Sequence, residues 1–501
     1  MAKPGVTLLL LAVAAPAMQG AVIRGLVVEN RTGYSVSHAT VTLQPIPSAG
    51  QAPRTARTSD SGEFAFGNVS PGAYLLKASR RGFMPMEYGQ KRWNSAGVAL
   101  VIESDDPVTV RLPLTRYSSI TGTVRDSNEV GIPDQDVAAY TNTEPPRFVT
   151  RARSDDRGVF RIYGLEPGTF MVRTTGGIDD DLSYLPTFSR QTLRVEDARP
   201  VVVFPDEDAT DGDVRPIPGK LFDLSGSVAV PNQPAFTVVV TLASDMGRTV
   251  SNGPVFHFPA LAPGHYEIYA EAKAGSRVLG GYTEVLVERN MAEFALPMSE
   301  VRDSQFVIEG TGAAVSATGF LRRRDLAGVG PAEPVILTNG VGRVQISPGR
   351  WEFLATPPSG YYVSRFSGSR NNTARPDGWN EIALGGGVLG TSGRFTITLS
   401  NSPGGIHGLV KSAGEPAASA PVFLEAWDAV TRARVVETRQ TRADRRGNYR
   451  FENLPPGDYR VLSTYDYAAP DSGAFDAARA QQVRIESGTN LQLDLELDGI
   501  P

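Results

Sequence analysis

Short runs in which apolar and polar residues alternate recur along the whole chain. Phe64 and Phe66 are separated by one residue, and so are the four leucines between positions 491 and 497. A period of two places such side chains on one face of a strand, so each run predicts a half-buried β-strand. Helical periodicity is missing apart from a short turn near residues 474–482. The pattern therefore predicts an all-β protein.

One phrase recurs five times: a glycine-containing turn, an alternating strand, a Pro-Gly pair and then an aromatic residue. Glycine after Asp or Asn accepts a left-handed turn, and Pro-Gly suits a second turn, so the phrase predicts paired hairpins. The Pro-Gly pairs begin at Pro71, Pro167, Pro263, Pro348 and Pro456. A spacing of roughly 100 residues is the size of one small sandwich per repeat.

Two further strands accompany each phrase. An opening strand with a central glycine precedes it, as at Gly25, Gly122, Gly226 and Gly408, and an alternating closing strand follows it. We therefore expect about five antiparallel β-sandwiches in tandem, the fourth of them divergent. The expected limits are 22–116, 117–216, 217–299, 300–402 and 403–501.

The N-terminus has the features of a secretory signal. Lys3 precedes an apolar stretch over residues 6–15, and small residues follow at Ala15 and Ala17. This predicts a signal peptide over residues 1–21, because the stretch is shorter than the roughly 20 apolar residues that span a bilayer. An uncleaved anchor is the alternative. We expect an exported chain, periplasmic or extracellular, with no transmembrane segment after cleavage.

Composition narrows the classes of protein further. Glycine (52) and proline (37) are frequent, but 41% of residues are hydrophobic, which is typical of a turn-rich globular protein and not of disorder. The net charge of −5 is spread without long blocks, so no nucleic-acid partner is expected. The absence of cysteine excludes disulfides and thiolate metal sites.

These residues together carry a resemblance. The opening I-x-G-x-V strand, the D-x-x-G-x-F-x-F turn and strand, and the L-x-P-G-x-Y turn are clearest in the first, second and fifth copies. The chain resembles the carboxypeptidase regulatory-like domain of bacterial exported proteins. The resemblance implies a seven-stranded prealbumin-like (Ig-like) β-sandwich, grouped with carbohydrate-binding-like folds, that is not itself catalytic.

Catalytic chemistry has little support in the sequence. The four histidines, His38, His257, His265 and His407, stand in no motif such as G-x-S-x-G or H-E-x-x-H. We expect no enzyme and no cofactor, with a cryptic hydrolase as a distant alternative.

The segments after the Pro-Gly-aromatic strands are the candidate ligand-binding loops. Aromatic rings supply apolar area and polar neighbours fix orientation, as a sugar or peptide surface requires. The candidate residues are Tyr88, Arg92, Trp93, Arg375, Trp379, Tyr465 and Tyr467. The alternative is that these rings cover the sandwich ends or pack the joints between domains.

An acidic loop is a weaker candidate, for calcium. Its carboxylates are Asp206, Asp208, Asp211 and Asp213. Calcium takes six to eight oxygen ligands, but the spacing is not that of an EF-hand, and a solvated turn is the alternative.

The sequence thus predicts an exported, non-catalytic, multi-domain binding protein whose partner is a polysaccharide or a cell-envelope protein. The alternative is a structural spacer or scaffold of the envelope with no small ligand.

Overall fold

The computed structural model describes residues 20–46, 52–143, 146–179, 182–231, 235–311, 315–368, 375–384 and 393–498. Most of the predicted signal peptide therefore lies outside the described residues. The chain forms two compact units: Met1–Lys91 with Gly97–Thr115, and Arg92–Ala96 with Arg116–Pro501. No helix among the described residues has the length and apolar character needed to cross a membrane.

The first unit contains one sandwich (residues 21–114) of two sheets. Its strands are β1 (Ala21–Glu29), β2 (Thr40–Ile46), β3 (Arg54–Arg57), β4 (Glu63–Val69), β5 (Gly72–Ser79), β6 (Met86–Glu87), β7 (Leu100–Ile102) and β8 (Val108–Leu114). One sheet has the order β4-β1-β8, and the other has the order β3-β2-β5-β6 with β7 also pairing with β5.

The second unit begins with the second sandwich (residues 118–209). Its strands are β9 (Ser118–Thr123), β10 (Asp136–Thr141), β11 (Phe148–Arg153), β12 (Val159–Leu165), β13 (Gly168–Thr174), β14 (Gly177–Asp179), β15 (Leu182–Tyr184), β16 (Val201–Val203) and β17 (Asp208–Ala209). The sheets are β12-β9-β17 and β11-β10-β13-β16, with a β14-β15 hairpin beside them. A 3-10 turn spans Val195–Asp197.

The third sandwich (residues 222–301) has a three-stranded and a five-stranded sheet. Its strands are β18 (Phe222–Val228), β19 (Thr237–Ser244), β20 (Gly247–Asn252), β21 (Val255–Leu261), β22 (Gly264–Ala274), β23 (Arg277–Val287), β24 (Met291–Leu296) and β25 (Ser299–Val301). The sheet orders are β21-β18-β24 and β20-β19-β22-β23-β25.

The fourth sandwich (residues 303–400) keeps the two-sheet plan. Its strands are β26 (Asp303–Glu309), β27 (Ala317–Asp325), β28 (Gly328–Val329), β29 (Glu333–Leu337), β30 (Val341–Gln345), β31 (Gly349–Thr356), β32 (Tyr362–Ser367), β33 (Asn380–Leu384) and β34 (Arg394–Ser400). The sheet orders are β30-β26-β34-β32 and β28-β27-β31-β33, with β29 on β27.

The fifth sandwich (residues 404–496) carries a short helix. Its elements are β35 (Gly404–Ser412), β36 (Glu415–Pro416), β37 (Pro421–Asp428), β38 (Ala433–Arg434), β39 (Arg439–Arg442), β40 (Asn448–Leu454), β41 (Gly457–Ser463), α1 (Ser472–Ala477), β42 (Gln481–Ile485), β43 (Asn490–Gln492) and β44 (Leu495–Glu496). Strand β35 pairs with β36, β40, β43 and β44, and β37 pairs with β38, β39 and β41, which pairs with β42.

The all-β class and the tandem sandwiches are confirmed. Each core lies between the inner faces of two sheets, and the alternating residues Phe64 and Phe66 are buried there as predicted. The divergent fourth copy has a core of stacked rings, with Phe306 4.0 Å from Phe353 between ring centres. The domain limits stay predictions; β25 of the third sandwich continues past position 299 to Val301.

One feature of the sheets differs from the expected antiparallel pairing. In each sandwich the opening strand runs parallel to the closing strand, as β1 does to β8 and β26 does to β34. Between these two strands the chain builds the other sheet, and that sheet serves as the crossover that a parallel pair requires. Alternation shows which face of a strand is buried but not the direction of its neighbour, so the pattern does not reveal this pairing.

Candidate functional site

The aromatic residue of the repeated phrase fastens the Pro-Gly turn. In four copies its polar atom donates a hydrogen bond to the carbonyl oxygen four residues earlier. The bonds are Tyr74 Oη to Ser70 O (2.8 Å), Tyr266 Oη to Ala262 O (2.9 Å), Trp351 Nε1 to Ser347 O (2.8 Å) and Tyr459 Oη to Pro455 O (2.6 Å). The second copy has Phe170, which lacks such a donor. The phrase therefore has a structural explanation that needs no ligand.

The glycine turn before it is anchored by the Asp of the D-x-x-G motif, to which the sequence analysis assigned no role. Asp155 Oδ1 accepts the backbone N–H groups of Arg157 (3.0 Å) and Val159 (2.8 Å), and Asp444 does the same in the fifth copy. These backbone bonds, the one from Val159 foremost, lower the pKa of Asp155. The signal was an Asp three residues before the glycine at both positions.

Among the candidate loop residues, Tyr88 belongs to the first unit and packs against its core. Its backbone N–H donates to Leu76 O at 2.8 Å, and its carbonyl accepts from Val98 at 2.8 Å. Both the ring and the backbone of Tyr88 therefore support the sandwich.

Arg92 and Trp93 lie in the short segment that belongs to the second unit. The Arg92 guanidinium is 2.6 Å from Asp466. The backbone nearby joins the same loop, because Ala96 N–H donates to Tyr465 O at 2.8 Å. Trp93 is half-buried.

The two tyrosines of the fifth copy differ in exposure. Tyr465 is buried, and burial raises the pKa of its hydroxyl. Tyr467 is half-buried.

Arg375 is held at the joint between the fourth and fifth sandwiches. It donates to Asp377 (2.7 and 3.0 Å), to Asp458 O (2.9 Å) and to Tyr459 Oη (3.0 Å), and its guanidinium lies 4.8 Å from the centre of the Tyr459 ring. Burial opposes the charge, but Asp377 and Tyr459 outweigh it and raise the pKa of Arg375. A ligand would have to displace all of these contacts.

Trp379 is also occupied. Arg322 lies 3.7 Å above its ring and pairs through its guanidinium with Glu352 at 2.7 Å. The structure therefore places Arg375 and Trp379 in separate packing contacts and does not assemble the candidates into one surface.

The joint between the third and fourth sandwiches is the most heavily bonded. Asp325, whose side chain is 1% exposed, accepts two bonds from Arg248 (both 2.8 Å) and one from Tyr269 Oη (3.1 Å). Arg323 lies between two rings, 4.1 Å from Tyr269 and 4.6 Å from Trp351. Burial lowers the pKa of Arg323.

A second charged pair crosses the same joint. Arg350 of the fourth sandwich pairs with the buried Glu267 of the third. Beside it, Ser347 Oγ donates to Glu271 at 2.5 Å.

The joint between the second and third sandwiches has fewer polar contacts among the described residues. Arg173 pairs with Asp245 at 2.8 Å and lies 4.9 Å from the Phe188 ring. Met246 of the third sandwich packs on a cluster that includes the buried Tyr140, and burial raises the pKa of Tyr140 to about 12.

The acidic loop of the second sandwich uses its carboxylates for local bonds. Asp213 Oδ1 accepts from Thr123 N (2.7 Å), Asp208 pairs with Arg161 (2.8 Å), and Asp211 lies 3.4 Å from Arg199. Asp206 takes a left-handed backbone (φ 56°). In the described part of the chain no group of three or more His, Asp or Glu side chains could hold a metal ion. Calcium binding stays a prediction, and these contacts support the solvated turn.

Residues 22–113, which form the first sandwich, match the family model of the carboxypeptidase regulatory-like domain. The resemblance drawn from the repeated motifs is therefore confirmed for this domain. The hydrogen bond that Tyr74 makes in this sandwich recurs in the third, fourth and fifth sandwiches.

Solved structures with similarity to the chain are remote. The minor pilin GBS52 of Streptococcus agalactiae is 12% identical, with 43% of this chain and 100% of the pilin covered and a TM-score of 0.26. The shaft pilin SpaA of Lactobacillus rhamnosus GG is 11% identical (41% and 99% covered, TM-score 0.24). The TIE protein of Bacillus anthracis is 11% identical (72% and 68% covered, TM-score 0.18). At these scores the similarities carry no conclusion about this chain. No curated protein shows significant similarity to it.

The histidines form no recognisable catalytic group among the described residues. His257 Nδ1 lies 2.7 Å from Ser225 Oγ on the exposed face of the third sandwich, and no carboxylate pairs with this imidazole within the described residues. His38 lies 3.6 Å from the exposed Asp60. A Ser-His device needs a serine and an orienting acid at one histidine; within the described residues His257 has the serine without a paired acid, and His38 has the acid without a bonded serine.

Proposed function

We propose that the chain is an exported, non-catalytic scaffold of the cell envelope, in which the sandwiches of the second unit are held at fixed angles to one another. The repeated domain supplies length, and the joints supply stiffness. Its place of action would be the periplasm or the cell surface. A partner in the envelope would be an exported protein that the array spaces or presents.

The bonding of Asp325 is the observation that carries this proposal. The Asp325 carboxylate is only 1% exposed and accepts three hydrogen bonds from the neighbouring sandwich. Separating the two sandwiches would cost free energy, because it would leave this carboxylate without those partners. Flexibly linked domains usually meet through small polar contacts. Buried charge at a joint therefore favours a fixed angle.

Spin labels can test the angle directly, because the chain has no cysteine of its own. Val255 of the third sandwich and Ile336 of the fourth are 71% and 62% exposed, so Val255→Cys/Ile336→Cys gives two labelling sites. We expect one narrow distance distribution by pulsed electron spin resonance.

The Asp325→Ala variant should broaden that distribution, and Asp303→Ala, which removes an exposed aspartate of the same sandwich, should not. A broad distribution in the otherwise unchanged chain would contradict the scaffold proposal.

Binding through the loops is the second candidate, for a polysaccharide or an envelope protein. It is favoured by the half-buried rings of Trp93 and Tyr467, which leave part of their surface open to solvent. A glycan array with Trp93→Ala/Tyr467→Ala beside the unchanged chain tests it. Glycan retention that survives this change would exclude these rings as the site.

A further inference from the structure

A cleft of about 570 Å³ opens on the fifth sandwich, between the turn that joins β37 to β38 and the residues that follow α1. None of the candidate ligand-binding loop residues lines it. Two aromatic, three basic and one acidic side chain dominate its walls: Trp427, Arg432, Arg460, Phe475, Asp476 and Arg479.

One wall of the cleft is fixed. The Arg460 side chain is 7% exposed, and its guanidinium lies 3.8 Å from the centre of the Trp427 ring. Glu425, fully buried, accepts from Arg460 Nε at 2.6 Å, and Asp476 pairs with the same guanidinium. Arg460 is thus neutralised by the fold and stacks on Trp427 as a rigid surface.

The remaining two arginines are not neutralised in this way. Arg432 and Arg479 are exposed, and neither makes an ion pair or a side-chain hydrogen bond within the described residues. Two guanidinium groups without an ion pair make this cleft locally positive. The chain as a whole is negative, with a net charge of −5.

The backbone holds both arginines in an unfavourable conformation. Their φ angles are 51° for Arg432 and 50° for Arg479, in the left-handed region that favours glycine or asparagine. Thr431 N–H bonded to Asp428 (3.0 Å) and Ala480 N–H bonded to Phe475 O (3.0 Å) fix the two turns. Residues held in this region are energetically unfavourable, and such residues cluster at ligand sites.

We propose that this cleft binds an acidic polysaccharide. Arg432 and Arg479 each pair with a carboxylate of a uronate unit, because the guanidinium fork matches a carboxylate with two parallel hydrogen bonds. Arg460 covers one face of the Trp427 indole, and the part of this half-buried ring that lines the cleft offers apolar area to a sugar ring, which favours a saccharide over an acidic peptide. The site does not depend on the scaffold role, since it involves no joint between sandwiches.

Calorimetric titration of the purified full-length mature chain with hexagalacturonate tests the proposal. We expect saturable binding that weakens as salt is added. The Arg432→Asn/Arg479→Asn variant should lose at least about tenfold in affinity, because each arginine contributes charge-assisted bonds. Asparagine accepts the left-handed conformation, so the turns should keep their shape.

The matched control is Arg190→Asn/Arg302→Asn, which removes the same charge from exposed positions, one of them also left-handed (Arg190, φ 68°). It should bind as tightly as the unchanged chain. The variant Arg432→Lys/Arg479→Lys should bind with intermediate affinity, since an ammonium group keeps the charge but not the fork.

Several results would overturn the proposal: no binding by the unchanged chain, an equal loss in the control variant, or an unchanged affinity in the asparagine variant. Equal binding of the fully methyl-esterified hexamer would remove the role of the carboxylates. Binding of poly-L-glutamate but not of the uronate would assign the cleft to an acidic peptide instead.

Discussion

At the residue scale, single polar atoms decide how the repeated turns hold together. The Tyr459 hydroxyl makes two hydrogen bonds: it donates to Pro455 O (2.6 Å) and accepts from Arg375 (3.0 Å). Burial raises the pKa of Tyr459 to about 12, so the hydroxyl stays protonated and can serve as the donor at neutral pH. Tyr74 makes only the first of these two bonds.

Tyr459→Phe should therefore cost about 1–3 kcal/mol, and Tyr74→Phe about 1 kcal/mol, since the first removes two hydrogen bonds and the second removes one, whose acceptor Ser70 is exposed. Hydrogen exchange of β41 and β5 in the intact chain measures the two local free energies of opening. Equal losses at the two positions would contradict a role for the Arg375 contact.

The turn aspartates give a pH-dependent prediction. The pKa of Asp155 is lowered in the folded chain, so its contribution to stability is present above the ordinary value of 3.8 and is lost as the pH falls through the lowered value. Asp155→Ala should lower the melting temperature at neutral pH, and the deficit should shrink by about pH 2. Asp156→Ala, at the exposed neighbouring position, should have little effect at either pH. A deficit that does not change with pH would mean that the charge of Asp155 is irrelevant.

At the element scale, the central glycine of the opening strand allows the parallel closing strand to approach. A Cβ atom on Gly408 would lie 1.8 Å from Leu493 O, which is backbone and cannot rotate away. Strands β43 and β44 flank this point, and Asp494 bonds across it to Leu409 N at 3.0 Å. The glycine thus permits the pairing that closes the sandwich.

Gly408→Ala should destabilise the fifth sandwich by about 3 kcal/mol or more, because the closing strand must move. Gly473→Ala, in α1 of the same sandwich, is the control, since a Cβ there would make only an ordinary contact, 3.4 Å from Asp471 Oδ1. Hydrogen exchange of β35 and β40 in the intact chain measures the loss of stability in the fifth sandwich. A loss no larger than that of Gly473→Ala would show that β43 can shift at little cost.

At the scale of the whole molecule, the joints of the second unit reuse the Pro-Gly turns. The position a Cβ would take on Gly457 is 2.6 Å from the guanidinium carbon of Arg375, while the matching position on Gly264 is open. Both glycines have positive φ angles, 153° and 159°, that other residues rarely adopt, so alanine brings the same backbone strain to each. The same turn therefore serves as a contact platform in one sandwich and not in another.

Gly457→Ala should displace Arg375 and loosen the joint between the fourth and fifth sandwiches. Spin labels at Ile336→Cys and Val430→Cys, both exposed positions, should show a broadened distance distribution. Gly264→Ala carries the same change of backbone freedom without the contact, so it should leave the distribution narrow. A similar broadening in both variants would contradict the platform role of Gly457.

The sequence alone determined the fold class and the repeat, because alternation and turn chemistry are local properties. Phe64, Phe66 and the Pro-Gly pairs needed no tertiary information. The direction of the closing strands, the contact of Arg375 with Tyr459 and the packing of Arg322 on Trp379 arise between residues far apart in the chain. The bonds of Asp155 to Val159 and of Tyr459 to Pro455 join near neighbours, but the turn geometry that forms them is visible only in the structure. The cleft of Arg432 and Arg479 is of the same kind: a turn and a helix end contribute one arginine each, and only the folded fifth sandwich brings them to one opening.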